Sequence, residues 1–231
     1  PGRDLYDVRR TAVVMKDWYA FKDPRQFYYG SYTTTRARQQ EALDRQLDFV
    51  DKRELLSAMP LAARRQLVDM LVPLRHYEFG ANMNNAHIAG YGYGTALTQA
   101  AMMNCMDRLG MAQHISRIGL LTDGNTGESL DQARQRWMEA PTWQGLRREM
   151  ENLFVVQDPM QTMLAQNLVG DALIYPLFFR RFDAEFAQAR TAVVIGRHGV
   201  EFRADAFDSQ HIGQEADQFV ALGRKGVGAF L

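Results

Sequence analysis

The sequence predicts an all-α protein, and three observations lead to that prediction. Residues 79–106 carry no formal charge. From about residue 33, apolar residues recur at the i, i+4, i+7 spacing of a helix, and opposite charges lie four residues apart on the other face. A second long, mostly apolar run covers residues 157–187, whereas strand-like β-branched residues are concentrated after residue 190.

The uncharged stretch between Glu78 and Asp107 is predicted to be the central helix of the domain. Its amides and glycines make it too polar for a bilayer helix, which needs about 20 predominantly apolar residues. It also lacks the charged face of a surface helix. We therefore expect one helix from about residue 76 to 109, ended by Gly110 and enclosed by protein on nearly all sides.

Three glycines, Gly90, Gly92 and Gly94, lie at alternate positions inside this predicted helix. Each would cost about 1 kcal/mol relative to alanine, so we expect a neighbouring helix to approach the backbone closely there. A phosphate-binding glycine loop is the competing interpretation. Such a loop follows a strand, and the pattern before these glycines indicates no strand.

The pattern divides the chain into an extended arm (1–32), a helical domain (33–190) and a C-terminal segment of undefined structure (191–231). The apolar stripe of the first helix consists of Leu43, Leu47 and Val50. Pro73 is expected to bend or end a helix just before the central one, and Pro176 to kink the last long helix.

Aromatic side chains in the arm are the candidate contacts to a partner. They alternate with charged residues and proline, and the candidates are Trp18, Tyr19, Phe27, Tyr28, Tyr29 and Tyr32. In one interpretation these rings fill pockets on the chain's own domain. In the other, the arm lies across another subunit, and composition alone favours neither interpretation.

Composition excludes several classes of partner and site. The chain has 231 residues with 27 basic and 27 acidic side chains, so its net charge of zero predicts no bulk attraction to nucleic acid or to an anionic membrane. The single cysteine, Cys105, excludes an intramolecular disulfide and predicts a buried thiol in the cytoplasm. There is no signal peptide and no initial methionine, so we expect a processed chain or a fragment.

A helical domain with polar residues inside raises the question of a di-iron site. Such sites take a glutamate from each of two helices and a Glu-x-x-His motif from each of two others. No glutamate in this sequence has histidine three residues later, and no His-x-x-x-His pair occurs. Asn84 and His87 have the Glu-x-x-His spacing, but the neutral amide lacks the carboxylate charge. We expect His87 to be a hydrogen-bonded core residue, with a metal ligand as the alternative.

Asn167 and Asp171 form a second polar pair, four residues apart within the apolar run 157–187. A buried carboxylate without a partner would cost several kcal/mol, so both side chains need hydrogen-bonding partners. A structural pair is the favoured interpretation, and a working site is the alternative.

Five segments carry a resemblance to a known family. They are FYYGSYTTTRARQQ (27–40), MNNAHIAGYGYGT (83–95), DRLGMAQHISRIG (107–119), AQNLVGD (165–171) and residues 175–185. In this order they resemble the β subunit of bacterial multicomponent di-iron monooxygenases, most closely the phenol hydroxylase branch. The resemblance covers about residues 4–190. Part of the family's N-terminal region is absent, and residues 191–231 do not match its usual ending.

The resemblance implies a ferritin-like helical bundle that lacks the metal site of its α partner. It implies that the α subunit holds the di-iron centre and hydroxylates an aromatic ring with O2 and electrons from NADH. The α, β and γ chains would form a dimer of heterotrimers, on which a regulatory protein and a reductase dock. On this interpretation the chain binds no cofactor, is not itself catalytic, and keeps Asn84 and His87 as vestiges of a metal helix.

Two other functions stay open from the residues. The first is an independent ferritin-like metal- or oxygen-binding protein, with an atypical site built from His87, Asp171 and neighbouring carboxylates. The second is a helical ligand-binding module unrelated to oxidation.

Overall fold

A computed structural model describes residue 4, residues 7–23 and residues 25–180. All regular elements in this part of the chain are helical, which confirms the all-α prediction. The α-helices are α1 (Tyr29–Lys52), α2 (Leu61–Gln66), α3 (Leu74–Tyr91), α4 (Thr95–Thr122), α5 (Glu128–Glu139), α6 (Pro141–Val155), α7 (Pro159–Met163) and α8 (Asp171–Tyr175). Within this part of the chain, no helix is long and apolar enough to cross a membrane. The predicted C-terminal segment (191–231) and the last ten residues of the predicted domain lie outside the described residues.

The predicted single central helix is wrong, because the uncharged stretch folds as a helical hairpin. Helix α3 ends at Tyr91 and α4 begins at Thr95. The two helices run antiparallel, and the Asn82 amide on α3 donates to the Cys105 carbonyl on α4 at 2.7 Å. Helix α4 also continues past Gly110 to Thr122, because a lone glycine costs a helix only about 1 kcal/mol.

The glycines make the turn of this hairpin, and the predicted close helix approach is wrong at Gly90 and Gly94, whereas a Cβ atom at Gly92 would lie 3.0 Å from the Leu97 side chain of α4. Gly92 ends α3, and Gly94 precedes α4 with φ 75° and ψ 148°, a conformation that is essentially restricted to glycine. A Cβ atom added at Gly90 or Gly94 would meet no other atom within 4 Å. Backbone conformation, not space, therefore determines the need for glycine at position 94.

This difference between the two glycines predicts opposite effects of the same substitution. Gly94→Ala is expected to lower the free energy of unfolding by about 1–3 kcal/mol, because alanine is strained at this positive φ. Gly90→Ala, inside α3 and with open space at its Cβ, is expected to raise stability by about 0.5–1 kcal/mol. Urea unfolding followed by circular dichroism compares the two variants, and equal effects would contradict the assignment of the turn.

A cluster of large side chains joins the hairpin to the helices that follow it. Trp137 of α5 and Trp143 of α6 have ring centroids 5.8 Å apart, and Trp143 stacks on Phe178 at 5.5 Å. Ile115 of α4 and Leu74 of α3 lie in the same cluster and are fully buried. The cluster therefore fixes the end of the described chain, beyond α8, against the hairpin.

Two prolines lie beside π-helical turns. The π-helical segment Leu67–Leu71 precedes Pro73, and another, Pro176–Arg180, begins at Pro176. Pro73 does not interrupt the helical backbone. It adopts helical φ and ψ angles and directly precedes α3. Its missing N–H is harmless at the start of a helix, where that donor has no partner inside the helix.

The predicted arm is shorter than 32 residues, because α1 begins at Tyr29 and includes Tyr32. The arm lies along the chain's own domain. The Ala12 N–H donates to Asp158 at 2.8 Å, and Val13 and Phe21 pack against a cluster formed by α3, α4 and α7. The interpretation in which the arm uses its own domain is thus supported for these two residues.

Candidate functional site

Three charged side chains meet inside the bundle, one from each of three helices. The Arg108 guanidinium of α4 donates through Nη1 to Oε2 of Glu78 on α3 at 3.2 Å, and through Nη2 to Oδ2 of Asp171 on α8. All three side chains are at most 5% exposed. The Tyr175 hydroxyl donates to Glu78 at 3.1 Å, and the guanidinium lies 5.0 Å from the Tyr175 ring centroid. We call Glu78, Arg108 and Asp171 the charged cluster.

A chain of neutral hydrogen bonds extends the charged cluster along the interior. The Tyr77 hydroxyl donates to Asp171 at 2.8 Å and accepts from the Gln166 amide at 2.8 Å. The Gln166 carbonyl oxygen accepts in turn from the Asn84 amide at 3.0 Å. This series of hydrogen bonds therefore connects α3 and the π-helical segment Leu164–Gly170 to the carboxylate of Asp171.

A second polar group consists of amides alone. Asn85 and Asn167 exchange hydrogen bonds, with Asn167 donating at 2.9 Å and Asn85 donating at 3.2 Å. Asn104 of α4 donates to Asn85 at 3.1 Å. Because each of these buried amides has a partner, the group ties α3, α4 and the π-helical segment together without charge.

Burial and charge balance determine the protonation of the charged cluster. Burial raises the pKa of Glu78 to about 8, with Arg108 opposing and Asp171 adding to the shift. Burial alone would lower the pKa of Arg108, but the two carboxylates outweigh it and raise that pKa. With Glu78 protonated, the guanidinium is balanced by Asp171, and the cluster carries no net charge in the bundle interior.

The raised pKa of Glu78 predicts a specific pH dependence of stability. The folded chain binds this proton more tightly than the unfolded chain, whose glutamate has an ordinary pKa of about 4.5. The contribution is fully present below about pH 4.5 and is lost as pH rises through about 8, with a slope of at most about 1.4 kcal/mol per pH unit. Glu78→Gln should remove this slope, as measured by urea unfolding between pH 5 and 8. Parallel pH profiles for the two proteins would contradict it.

Of the two predicted vestigial residues, one lies in this network and the other does not. Asn84 is buried and bonded to Gln166, and its amide also contacts the Met150 sulfur at 3.3 Å. His87 is half-buried, and its ring lies against Tyr91 with centroids 5.0 Å apart. His87 is therefore not the hydrogen-bonded core histidine that its position in the uncharged stretch predicts, since its Nε2 has no partner here.

Asn167 and Asp171 are both buried and both have hydrogen-bonding partners, as the sequence requires. They belong to different groups, however, with Asn167 among the amides and Asp171 in the charged cluster. The alternative site built from His87 and Asp171 does not assemble, because Asp171 is bonded to Tyr77 and Arg108.

Sequence reasoning missed several residues of the network, namely Tyr77, Glu78, Asn85, Asn104, Arg108, Gln166 and Tyr175. Glu78 was interpreted only as a boundary of the uncharged stretch. A signal was available, because Glu78, Asn85 and the buried Ala81 share one helix face at i, i+3 and i+7 spacing. Arg108 gave no such signal, since its partners lie 30 and 63 residues away along the chain.

The donor set inside the bundle does not fit a pair of iron ions. A di-iron bundle supplies four carboxylates and two histidines, all pointing inward. Among the residues that the structure describes, the two inward carboxylates bind a guanidinium, and their neighbours are amides and phenols. Among the described residues, no three His, Cys, Asp or Glu side chains are grouped in a way that could hold a metal ion.

The candidate interface residues in and near the arm divide into two sets. Tyr19, Tyr28 and Tyr29 are strongly exposed, and Trp18 is 40% exposed. Tyr32 is instead buried, and its hydroxyl donates to Asp107 at 2.7 Å. Phe27 lies edge-on to Tyr32, with centroids 6.2 Å apart. Only the exposed set, Trp18, Tyr19, Tyr28 and Tyr29, therefore remains as candidates for a contact to a partner.

Comparison with known protein families identifies the class of protein to which this helical bundle belongs. The family model of the methane, phenol and alkene hydroxylases matches residues 1–221, and the chain belongs to that family. The match extends beyond residue 190, where the resemblance based on motifs ended. Residues 191–221 therefore also match the family, although no motif in them indicated this.

Two relatives with high identity are components of phenol 2-monooxygenases, in agreement with the branch of the family that the motifs predicted. It is 54% identical to the DmpL oxygenase component of phenol 2-monooxygenase from Pseudomonas sp. strain CF600 over 183 residues, which are 79% of this chain and 55% of the relative. It is 48% identical to the MhpL component from Acinetobacter pittii strain PHEA-2, with the same coverage. The chain thus spans about half the length of these relatives.

Solved structures support the same assignment. Phenol hydroxylase from Pseudomonas sp. OX1 is 36% identical, with a TM-score of 0.73 over 99% of this chain and 73% of the other. Toluene 4-monooxygenase, at 19% identity, shares the fold with a TM-score of 0.65 over 96% of this chain and 80% of the other. The ferritin-like helical fold predicted from the resemblance is confirmed.

Proposed function

We propose that this chain is a non-catalytic structural β subunit of a cytoplasmic multicomponent monooxygenase that acts on phenol or related aromatic compounds. In this proposal a larger α subunit holds the di-iron centre and hydroxylates the ring with O2 and NADH-derived electrons. The β chain supports that subunit and helps to form the surface on which the regulatory protein and the reductase dock. A γ chain completes a heterotrimer, and two heterotrimers form the complex.

The observation that carries the proposal is the position of Arg108. Carboxylates inside a ferritin-like bundle bind metal ions in the catalytic members of the fold. In this chain the inward carboxylates of Glu78 and Asp171 bind a guanidinium instead. The positive charge that faces these carboxylates therefore comes from a side chain of the protein, which supports an interior built without a cofactor.

The hydrogen-bonded surroundings support a structural role. Every buried amide in the neutral group has a partner, and the tyrosines at the cluster donate to its carboxylates. Within these two groups of described residues the hydrogen bonds hold α3, α4, α8 and the π-helical segment Leu164–Gly170 together, and such a network rigidifies the interior.

Co-purification tests the proposal directly. A tagged copy of this chain is co-expressed with the larger subunit, recognisable by its paired Glu-x-x-His motifs. We expect a stable complex that hydroxylates phenol when reductase and regulatory protein are added, whereas this chain alone has no turnover. Turnover by the isolated chain, or failure of the two chains to associate, would overturn the proposal.

A further inference from the structure

The arm, as described for residues 7–23, lies across the end of the bundle where the α3–α4 hairpin turns and α7 begins. In the turn, the Tyr93 hydroxyl donates to the Asp7 carbonyl at 3.0 Å. At α7, the Ala12 N–H donates to Asp158 at 2.8 Å. The arm therefore contacts two elements that lie far apart along the chain, and it makes both contacts through its backbone.

Asp158 binds the arm and α7 at the same time. One carboxylate oxygen, Oδ1, accepts from the N–H groups of Met160 at 2.9 Å and Gln161 at 3.2 Å, both in the first turn of α7. The other oxygen, Oδ2, accepts from the Ala12 N–H. The first N–H groups of a helix have no partner inside that helix, so Asp158 caps α7. One side chain thus joins the arm to the start of a helix.

Apolar packing acts on the same turn of α7. Met160 is 3% exposed and belongs to the apolar cluster of α3, α4 and α7, against which Val13 and Phe21 of the arm pack. Val13 directly follows Ala12, so neighbouring residues of the arm make the apolar contact and the hydrogen bond to Asp158. The arm therefore holds the first turn of α7 through a charged acceptor and through a buried side chain.

Helix α7 is the beginning of a longer helical run. Residues 159–180 are helical without interruption, and the π-helical segment Leu164–Gly170 within them carries Gln166 and Asn167 of the buried polar groups. Asp171 of the charged cluster follows directly. The arm therefore contacts the start of the same helical run whose later residues form the polar interior.

The arm itself is a segment of low local stability. Its regular structure consists of two helical turns of three residues each, Val8–Arg10 and Trp18–Ala20. None of residues 7–23 is buried by the part of the chain that the structure describes. Segments with few buried contacts and few backbone hydrogen bonds open at a free energy well below that of global unfolding. We therefore expect the arm to detach while the bundle stays folded.

We propose that the arm is a detachable clamp on the first turn of α7. While the arm is attached, Ala12 and Val13 keep Asp158 and Met160 in place. When the arm detaches, the first turn of α7 loses both contacts and opens together with the arm. Opening stops at the π-helical segment, because its buried amides hydrogen-bond to α3. The chain thus contains a conformational switch whose two states differ at α7 and share the same charged cluster.

Two substitutions remove the bond between the arm and Asp158 from opposite sides. Ala12→Pro removes the donor, and the preceding Thr11 has ψ 143°, as the residue before a proline prefers. Asp158→Asn keeps a good helix cap, but its single acceptor oxygen cannot serve both α7 and the arm. Hydrogen exchange of each purified full chain is followed by NMR. We expect the amides of residues 160–162 to exchange about tenfold faster in both variants.

Val14→Pro is the matched control. Val14 is 78% exposed, and its N–H makes no hydrogen bond to any residue that the structure describes, so exchange in α7 should stay unchanged. The amides of residues 171–175 should exchange at the rate of the unsubstituted chain in all three variants. Circular dichroism checks that each variant is folded.

The outcomes decide for or against the clamp. Faster exchange of residues 160–162 in Ala12→Pro and Asp158→Asn, with Val14→Pro unchanged, supports it. Unchanged exchange there in either folded variant would overturn it, because the start of α7 would then not depend on the arm. Equal acceleration in Val14→Pro would also overturn it. So would arm amides that exchange in the unsubstituted chain only at the rate of global unfolding, since the arm would then not detach. The proposed function does not depend on any of these results.

Discussion

Replacing Arg108 with methionine is expected to destabilise the folded chain by about 3–5 kcal/mol. Methionine keeps most of the length of the side chain but removes the charge that Glu78 and Asp171 both bind. Two buried carboxyl groups would then share the interior with no cation beside them. Urea unfolding of the purified chain, followed by circular dichroism at pH 7, measures the loss.

The controls for this substitution come from the same chain. Arg136→Met removes an exposed ion pair with Asp69 and should cost less than about 1 kcal/mol. Adding Glu78→Gln and Asp171→Asn to Arg108→Met should recover much of the lost stability, since no buried charge remains unpaired. If Arg108→Met alone is as stable as Arg136→Met, the charged cluster does not hold the bundle in the way described.

Trp143→Ala is the second substitution with a large expected effect, a loss of about 3–5 kcal/mol. The Trp143 ring is 4% exposed and lies between Trp137 and Phe178, so its removal leaves a cavity between α6 and the segment that follows α8. Trp18→Ala, a matched change at a 40% exposed tryptophan of the arm, should change stability by less than about 0.5 kcal/mol in the isolated chain. Comparable losses for both variants would contradict the assignment of Trp143 to the core.

The inner stripes of the helices could be predicted from sequence, and the hairpin could not. Leu43, Leu47 and Val50 are buried on α1 as their spacing indicated. The sequence stays free of charged residues on both sides of Gly92 and Gly94. The hydrophobicity pattern therefore contains no signal for a turn at these positions. The turn depends on the positive φ at Gly94, and glycine adopts positive and negative φ about equally readily.

The candidate site was predictable only where its members are close in sequence. Asp171 was expected to be buried with a partner because it lies in an apolar run, and that is what the structure contains. Its partner Arg108 is 63 residues away, and only the folded hairpin brings the two together. Tyr32 is a candidate interface residue for which composition leaves two interpretations open, and the structure decides between them, since its ring is buried against α4.

The central proposal is that a guanidinium takes the place of metal in this chain, and iron loading tests it most directly. The purified chain and the larger subunit are each incubated with Fe(II) without oxygen and desalted, and the retained iron is measured by mass spectrometry. The proposal predicts well below one iron per copy of this chain and about two per larger subunit. Stoichiometric iron on this chain, lost on substituting Glu78→Gln and Asp171→Asn, would contradict it.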